Sequence, residues 1–332
     1  MTRVTAPAAH AAPAAHAAPT PVTPPDLTGG GFGERLAERV AARRSQIVLG
    51  LDPEPARLWP RALVGGTAGT PAERAARAVA THCRLVLDAA ADEVVAVKPQ
   101  VACFERLGAP GWAALQEVVA DARQRGLVVI ADAKRGDIDI SARAYGQAFF
   151  GHTATPFGEV PGLGADALTV SPLLGRDSLV PLVEAARAVG GGLFALVRTS
   201  NPGAADVQDR RLADGHTVSE AIAAILHELG APAAAGPSGL GDVGAVTGAT
   251  APERLQTLRA AMPHAVMLLP GIGPQGASGE DLAPAFAPGP AGGLVSASRA
   301  IVYAHEQGGG EPADAARREA ARLRELVWNL YA

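Results

Sequence analysis

From residue 34 onward, short apolar runs alternate with longer stretches in which apolar residues recur every three or four positions. Eight runs stand out: 46–52 (QIVLGLD), 94–100 (VVAVKPQ), 128–134 (VVIADAK), 166–171 (DALTVS), 193–199 (LFALVRT), 243–248 (VGAVTG), 266–271 (VMLLPG) and 293–298 (GLVSAS). They are rich in Val, Leu and Ile and carry little polar alternation, which is how strands covered on both faces read. Between them lie amphipathic patterns. Ala75, Val79, Cys83, Val86 and Ala90 share one helical face, as do Ala316, Ala320, Leu323, Val327 and Leu330. Strands alternating with helices in this number predict an α/β fold, a (β/α)8 TIM barrel, over residues 34–332 as a single domain. A doubly wound open sheet is the alternative, but no strand is followed by the GxGxxG that opens its dinucleotide-binding helix. The stretch 149–164 has Pro and Gly with little periodicity and is expected to form an insertion or loop after the third helix.

The N-terminal stretch breaks this pattern. Residues 1–33 are dominated by Ala, Pro, Thr and Gly and hold no apolar run. They bury too little surface to offset the entropy of ordering, and a disordered tail is expected. The tail lacks the apolar core of a signal peptide, and with Arg3 as its basic residue it does not resemble an Arg-rich transit peptide. No window approaches about 18 uninterrupted apolar residues, so no membrane span is expected. Formal net charge is −4, with both signs spread along the chain. Nucleic-acid partners are therefore not expected, and an anionic ligand must be caught by a local pocket. Cys83 and Cys103 are the cysteines of the chain. They form neither a disulfide framework nor a ligand pair, and a cytoplasmic protein is expected.

In a barrel the carboxyl ends of the strands form one mouth, so strand-end residues belong together. The first run ends in Asp52 and the second carries Lys98; the third carries Asp132 and Lys134, with Asp137 just beyond. Alternation puts Asp132 and Lys134 on the same side of an extended segment, where carboxylate and ammonium can touch. The fourth run ends in Ser171, the fifth leads into Arg198, Thr199, Ser200 and Asn201, the seventh into PGIGPQG (270–276), and Arg299 follows the eighth. A strand-end ion pair could cap one loop, and Asp52 before Pro53 could start a turn. A whole ring of charges is different, because buried charges are costly unless paired and an apolar mouth would be more stable. The glycines of 270–276 let backbone amides approach an anion, Gln275 adds a neutral donor, and Arg299 offers a planar fork, where barrels commonly hold phosphate. The histidines are scattered without metal-ligand spacing, and no GxSxG elbow is present.

Taken in order, Asp52, Lys98, DAKRGDI (132–138), Ser171, PGIGPQG and Arg299 resemble the orotidine 5′-phosphate decarboxylase family, and the resemblance covers nearly all of residues 34–330. The segments VKPQVACFE (97–105) and VRTSNPGA (197–204) are similar to its longer bacterial, type 2 branch. The resemblance implies a carboxy-lyase of pyrimidine biosynthesis that needs no cofactor or metal and converts orotidine 5′-phosphate into UMP and CO2. It implies a homodimer with shared active sites. By the same resemblance Lys98, Asp132, Lys134 and Asp137 form an alternating catalytic network. Lys134 stabilises and protonates the C6 carbanion, and Asp137 enters the neighbouring subunit's site. Ser141, from that same partner segment, would stand near the ribose. Asp52 and Lys98 would hold ribose hydroxyls, Ser171 would address the pyrimidine, and Gln275 and Arg299 would bind the 5′-phosphate. Two positions depart from the family pattern: Ser298 precedes Arg299 where Gly is more usual, and Pro274 stands where a small residue is common.

The residue types suit that chemistry. Loss of CO2 from C6 leaves a carbanion that a fixed ammonium can stabilise and then protonate, without an electron-sink cofactor. Carboxylates beside an ammonium favour its charged form. Three other readings stay open at this point. A related sugar-phosphate decarboxylase or hexulose-phosphate synthase would act through a metal-bound enediolate. A Schiff-base aldolase would use Lys98 or Lys134 as nucleophile. A catalytically silent barrel would bind a phosphate ligand and turn nothing over.

Overall fold

A computed structural model describes residues 30–64, 66, 68–248, 252–270 and 279–331. Most of the stretch expected as a tail, and the loop carrying Pro274 and Gln275, lie outside the described residues. The strands are β1 (Ile47–Leu51), β2 (Ala96–Pro99), β3 (Val128–Arg135), β4 (His152–Thr155), β5 (Gly158–Pro161), β6 (Ala167–Val170), β7 (Gly192–Arg198), β8 (Val243–Thr247), β9 (Met267–Pro270) and β10 (Gly293–Ala297). Eight of them close a barrel in the order β1-β10-β9-β8-β7-β6-β3-β2. Every pair in it is parallel. Each apolar run of the sequence supplies one barrel strand, and the open-sheet alternative falls because β1 pairs with both β2 and β10.

The helices are α1 (Phe32–Arg43), α2 (Pro71–Ala90), α3 (Val101–Glu105), α4 (Ala109–Gln124), α5 (Asp139–Phe149), α6 (Arg176–Ala188), α7 (Ala204–Val207), α8 (Val218–Gly230), α9 (Pro252–Ala261), α10 (Arg299–Val302), α11 (His305–Gly308) and α12 (Pro312–Tyr331). Alternation divides the strand residues between two cores. Val48, Ile130, Phe194, Leu268 and Leu294 fill the barrel interior, while Leu49, Val97, Val129 and Leu168 face the surrounding helices. Helix α1 begins inside the stretch expected as tail. Its Phe32, Leu36 and Val40 join the interior core, with the Phe32 ring edge-on to Phe194 at 6.1 Å. That burial is what draws the ordered body back to Phe32.

The insertion or loop expected over 149–164 contains an antiparallel hairpin of β4 and β5, standing outside the barrel, which the sequence did not mark as strands. Each strand is only four residues long and largely exposed, so no apolar alternation announces it. Its turn is made by Thr155, whose hydroxyl donates to the Gly158 carbonyl at 2.6 Å and accepts from the Phe157 amide at 3.1 Å. Among the described residues, no helix is long and apolar enough to cross a membrane.

Candidate active site

The barrel interior changes character toward its carboxyl end. Along β2 and β3, the inward positions pass from Ala96 to Lys98 and from Ile130 to Asp132 and Lys134. The result is a cavity of about 260 Å³ lined by Lys98, Asp132, Lys134 and Thr169 on one side and by Thr199, Ser200 and Asn201 on the other. Leu196, Val246 and Leu268 form its apolar floor.

Asp132 is the hub. Lys98 Nζ lies 2.5 Å from its Oδ2, and Lys134 Nζ lies 2.5 Å from its Oδ1. Gln100 Nε2 also donates to Oδ2 at 3.0 Å, and the Thr169 hydroxyl donates to Oδ1 at 2.9 Å. Asp132 and Lys98 are buried, whereas Lys134 is exposed toward the cavity. Burial by itself would raise the Asp132 carboxyl, but the adjacent Lys98 and Lys134 ammonium groups outweigh it and hold the carboxyl below its ordinary value. The carboxylate is therefore ionised at neutral pH, with both oxygens already engaged.

The local backbone explains why these side chains meet. The β3–β6 ladder shifts register between Ala131 and Arg135, a bulge of the kind that re-aims side chains at barrel rims. Lys134 sits at φ +50°, in the left-handed region that a residue with a Cβ adopts only when its surroundings impose it. Thr169 supplies part of that constraint, because its hydroxyl accepts the Lys134 amide at 3.0 Å. One hydroxyl thus fixes both the acid's orientation and the lysine's backbone. Replacing Thr169 by Val removes that hydroxyl at nearly constant shape, leaves the Lys134 amide without its acceptor and takes one of two donors from Asp132 Oδ1. That loss typically costs about 1–3 kcal/mol, so kcat should fall roughly tenfold or more while the protein stays folded. Steady-state kinetics beside a thermal melt test this, and a kcat within twofold of the parent would show that Thr169 holds nothing essential.

The other sequence candidates are spread around the mouth. Asp52 is exposed one residue past β1 and lines a small crevice with His82, Ser298 and Tyr303, beside the main cavity. Asp137 does not join the Lys98–Asp132–Lys134 cluster; its Oδ1 accepts from its neighbour's amide, Ile138 N, at 2.8 Å. Ser141 is exposed on the first turns of α5. Ser171 follows β6, half-buried, with its amide donating to the Arg135 carbonyl at 2.8 Å. Arg299 is exposed at the start of α10. The Ser298 side chain fills the space over Gly50, where a Cβ would come within 2.6 Å of Ser298 Cβ. Gln275 lies outside the described residues. At the end of β7, Arg198 turns to Asp209 at 3.2 Å, leaving Thr199, Ser200 and Asn201 on the cavity wall.

Sequence reasoning missed Thr169 and Gln100. Both follow the alternation that placed Asp132 and Lys134 together: Gln100 is two positions past Lys98, and Thr169 interrupts the apolar run Ala167–Val170 on its inward face. A polar residue on the inward face of a barrel strand, near its carboxyl end, was the available signal.

Similarity to known proteins agrees with this geometry. Residues 45–316 match the family described as orotidine 5′-phosphate decarboxylase / HUMPS. The chain is 43% identical over 276 residues to an orotidine 5′-phosphate decarboxylase of Rhodopirellula baltica, covering 83% of this chain and 89% of that one. It is 42% identical over 294 residues to an orotidine 5′-phosphate decarboxylase of Deinococcus radiodurans, covering 89% and 96%. The crystal structure of a putative orotidine 5′-phosphate decarboxylase from Streptomyces avermitilis superposes with a TM-score of 0.71 at 34% identity, covering 91% of this chain and 96% of that one. A family match across most of the barrel, joined to a lysine-bound aspartate at its mouth, leads to one conclusion: the chain belongs to the orotidine 5′-phosphate decarboxylase / HUMPS family.

Proposed function

We propose that this barrel is a carboxy-lyase that converts orotidine 5′-phosphate into UMP and CO2, with Lys134 as the group that handles the charge. The observation that carries the reading is Asp132 held between two ammonium groups at the wall of the mouth cavity. The bond from C6 to the carboxyl carbon breaks, CO2 departs, and its electron pair stays on C6. The Lys134 ammonium stabilises that pair and donates its proton to C6, and the resulting amine is reprotonated from solvent. Asp132 orients Lys134 and meets the substrate's carboxylate side. Asp52 and Lys98 hold the ribose hydroxyls, Ser171 faces the pyrimidine, and Gln275 and Arg299 take the phosphate, whose remote binding energy helps fix the ring.

A homodimer completes the site in this proposal. Asp137 forms no ion pair with its own Lys134, and the segment around it exposes Ile138 and Ile140, the latter 76% exposed, while Leu173 is exposed on the loop after β6. Exposed apolar surface beside a mouth favours a partner that covers it. That partner would receive Asp137 and Ser141 into its site. The free Cys83 and Cys103 suit a reducing cytoplasm.

The metal-dependent reading of the same family is less well supported. Both Asp132 oxygens accept from ammonium groups, and a divalent cation would need such oxygens free. One assay separates the two. Loss of orotidine 5′-phosphate absorbance should proceed undiminished with EDTA present; no loss of absorbance, beside turnover of a sugar phosphate that EDTA stops and a divalent cation restores, would overturn the assignment in favour of enediolate chemistry.

A further inference from the structure

Asp52 and Arg299 follow neighbouring strands, β1 and β10, which pair through Leu49 and Ala297. Beyond the strands the two segments part. The chain after Asp52 runs through short 3-10 turns to α2, and Arg299 opens α10. What binds them together again is Trp59. The residue is 3% exposed, and its Nε1 donates to the Val302 carbonyl at 3.0 Å, satisfying an acceptor at the end of α10 that has no intrahelical partner. Its backbone amide donates to His82 Nδ1 on α2 at 3.1 Å. Burial, with the nearby His305 adding to it, pushes His82 down to about 4, so Nδ1 remains an acceptor at neutral pH. The indole packs edge-on to His82 at 5.5 Å and to His305 at 6.4 Å. A second clasp lies outside it: Arg57 pairs with Glu306 at 2.6 Å and stacks over the Tyr303 ring at 4.1 Å.

We infer that Trp59 is a positioning residue for the phosphoribosyl end of the substrate, setting the spacing between Asp52 and Arg299 by tying the loop after β1 to α10. This rests on the proposed roles of Asp52 and Arg299. The reacting end is held by different elements, β2, β3 and β6, through Asp132 and Thr169. Loosening the clasp therefore acts on binding, not on the chemical step.

Trp59→Phe keeps the ring and removes the indole N–H. It should raise KM for orotidine 5′-phosphate and the inhibition constant of UMP about tenfold, with kcat within about twofold, since an unpaired buried acceptor typically shifts an equilibrium by that factor. Arg57→Ala breaks the exposed clasp without risk to the core and should raise KM about threefold. In an Arg299→Ala background the Trp59→Phe effect should vanish, because Trp59 acts through Arg299. An unchanged KM in both clasp variants, an equal Trp59→Phe effect with or without Arg299, or a fall in kcat without a rise in KM would each overturn the inference. An Arg299→Ala variant with the parent KM would instead overturn the phosphate role of Arg299, whatever Trp59 does.

Discussion

Lys134→Ala is expected to lower kcat about ten-thousandfold, because in the proposed reaction one residue supplies both the electrostatic stabilisation of the C6 carbanion and its proton. The fold should survive. Lys134 is exposed toward the cavity, and Asp132 keeps Lys98, Gln100 and Thr169 as partners after the change. The buried carboxylate is thus still paired, so the large penalty of an uncompensated charge does not arise. Single-turnover decay of orotidine 5′-phosphate absorbance, beside a thermal melt, measures both quantities. Turnover within tenfold of the parent would sink the assignment of Lys134.

The second large effect is a recovery. Asp137→Ala and Lys134→Ala should each be nearly inactive alone and regain activity when mixed under conditions of subunit exchange. A heterodimer of the two holds one site with neither residue and one site with both. At equal amounts half the dimers are heterodimers, so activity should approach about a quarter of the parent value for a two-fold symmetric pair with shared sites. The placement of Asp137 motivates this: it bends back to Ile138 N instead of joining Lys134. Exchange demonstrated by mass, with no recovered turnover, would show that each site is complete within its own subunit.

Much of the architecture was legible because its causes are local. A strand buried on both faces must be apolar throughout, so all the barrel strands were visible as runs such as Ile47–Leu51 and Met267–Pro270. The hairpin of β4 and β5 was not, since two exposed four-residue strands bury nothing that would mark them. At the site, alternation alone put Asp132 and Lys134 together, and the strand-end position of Lys98 put it near them. Thr169 was overlooked because a single hydroxyl in an apolar run carries no charge to draw attention to its inward position. Its value depends on the register shift that brings it against the Lys134 amide.

What the sequence determined by itself was the order of the barrel strands and the helices between them, and the gathering of charge at the carboxyl ends of the strands. Both follow from periodicities of two and of about 3.6 residues that neighbours in the chain impose on each other. Tertiary structure alone decided which Asp132 oxygen each ammonium takes, that Arg198 faces Asp209 while Asn201 faces the cavity, and that Trp59 bridges to Val302. Those contacts depend on which strand lies beside which and on the register shifts in β3 and β7. Residues far apart in the chain settle such matters, through the closure of the barrel.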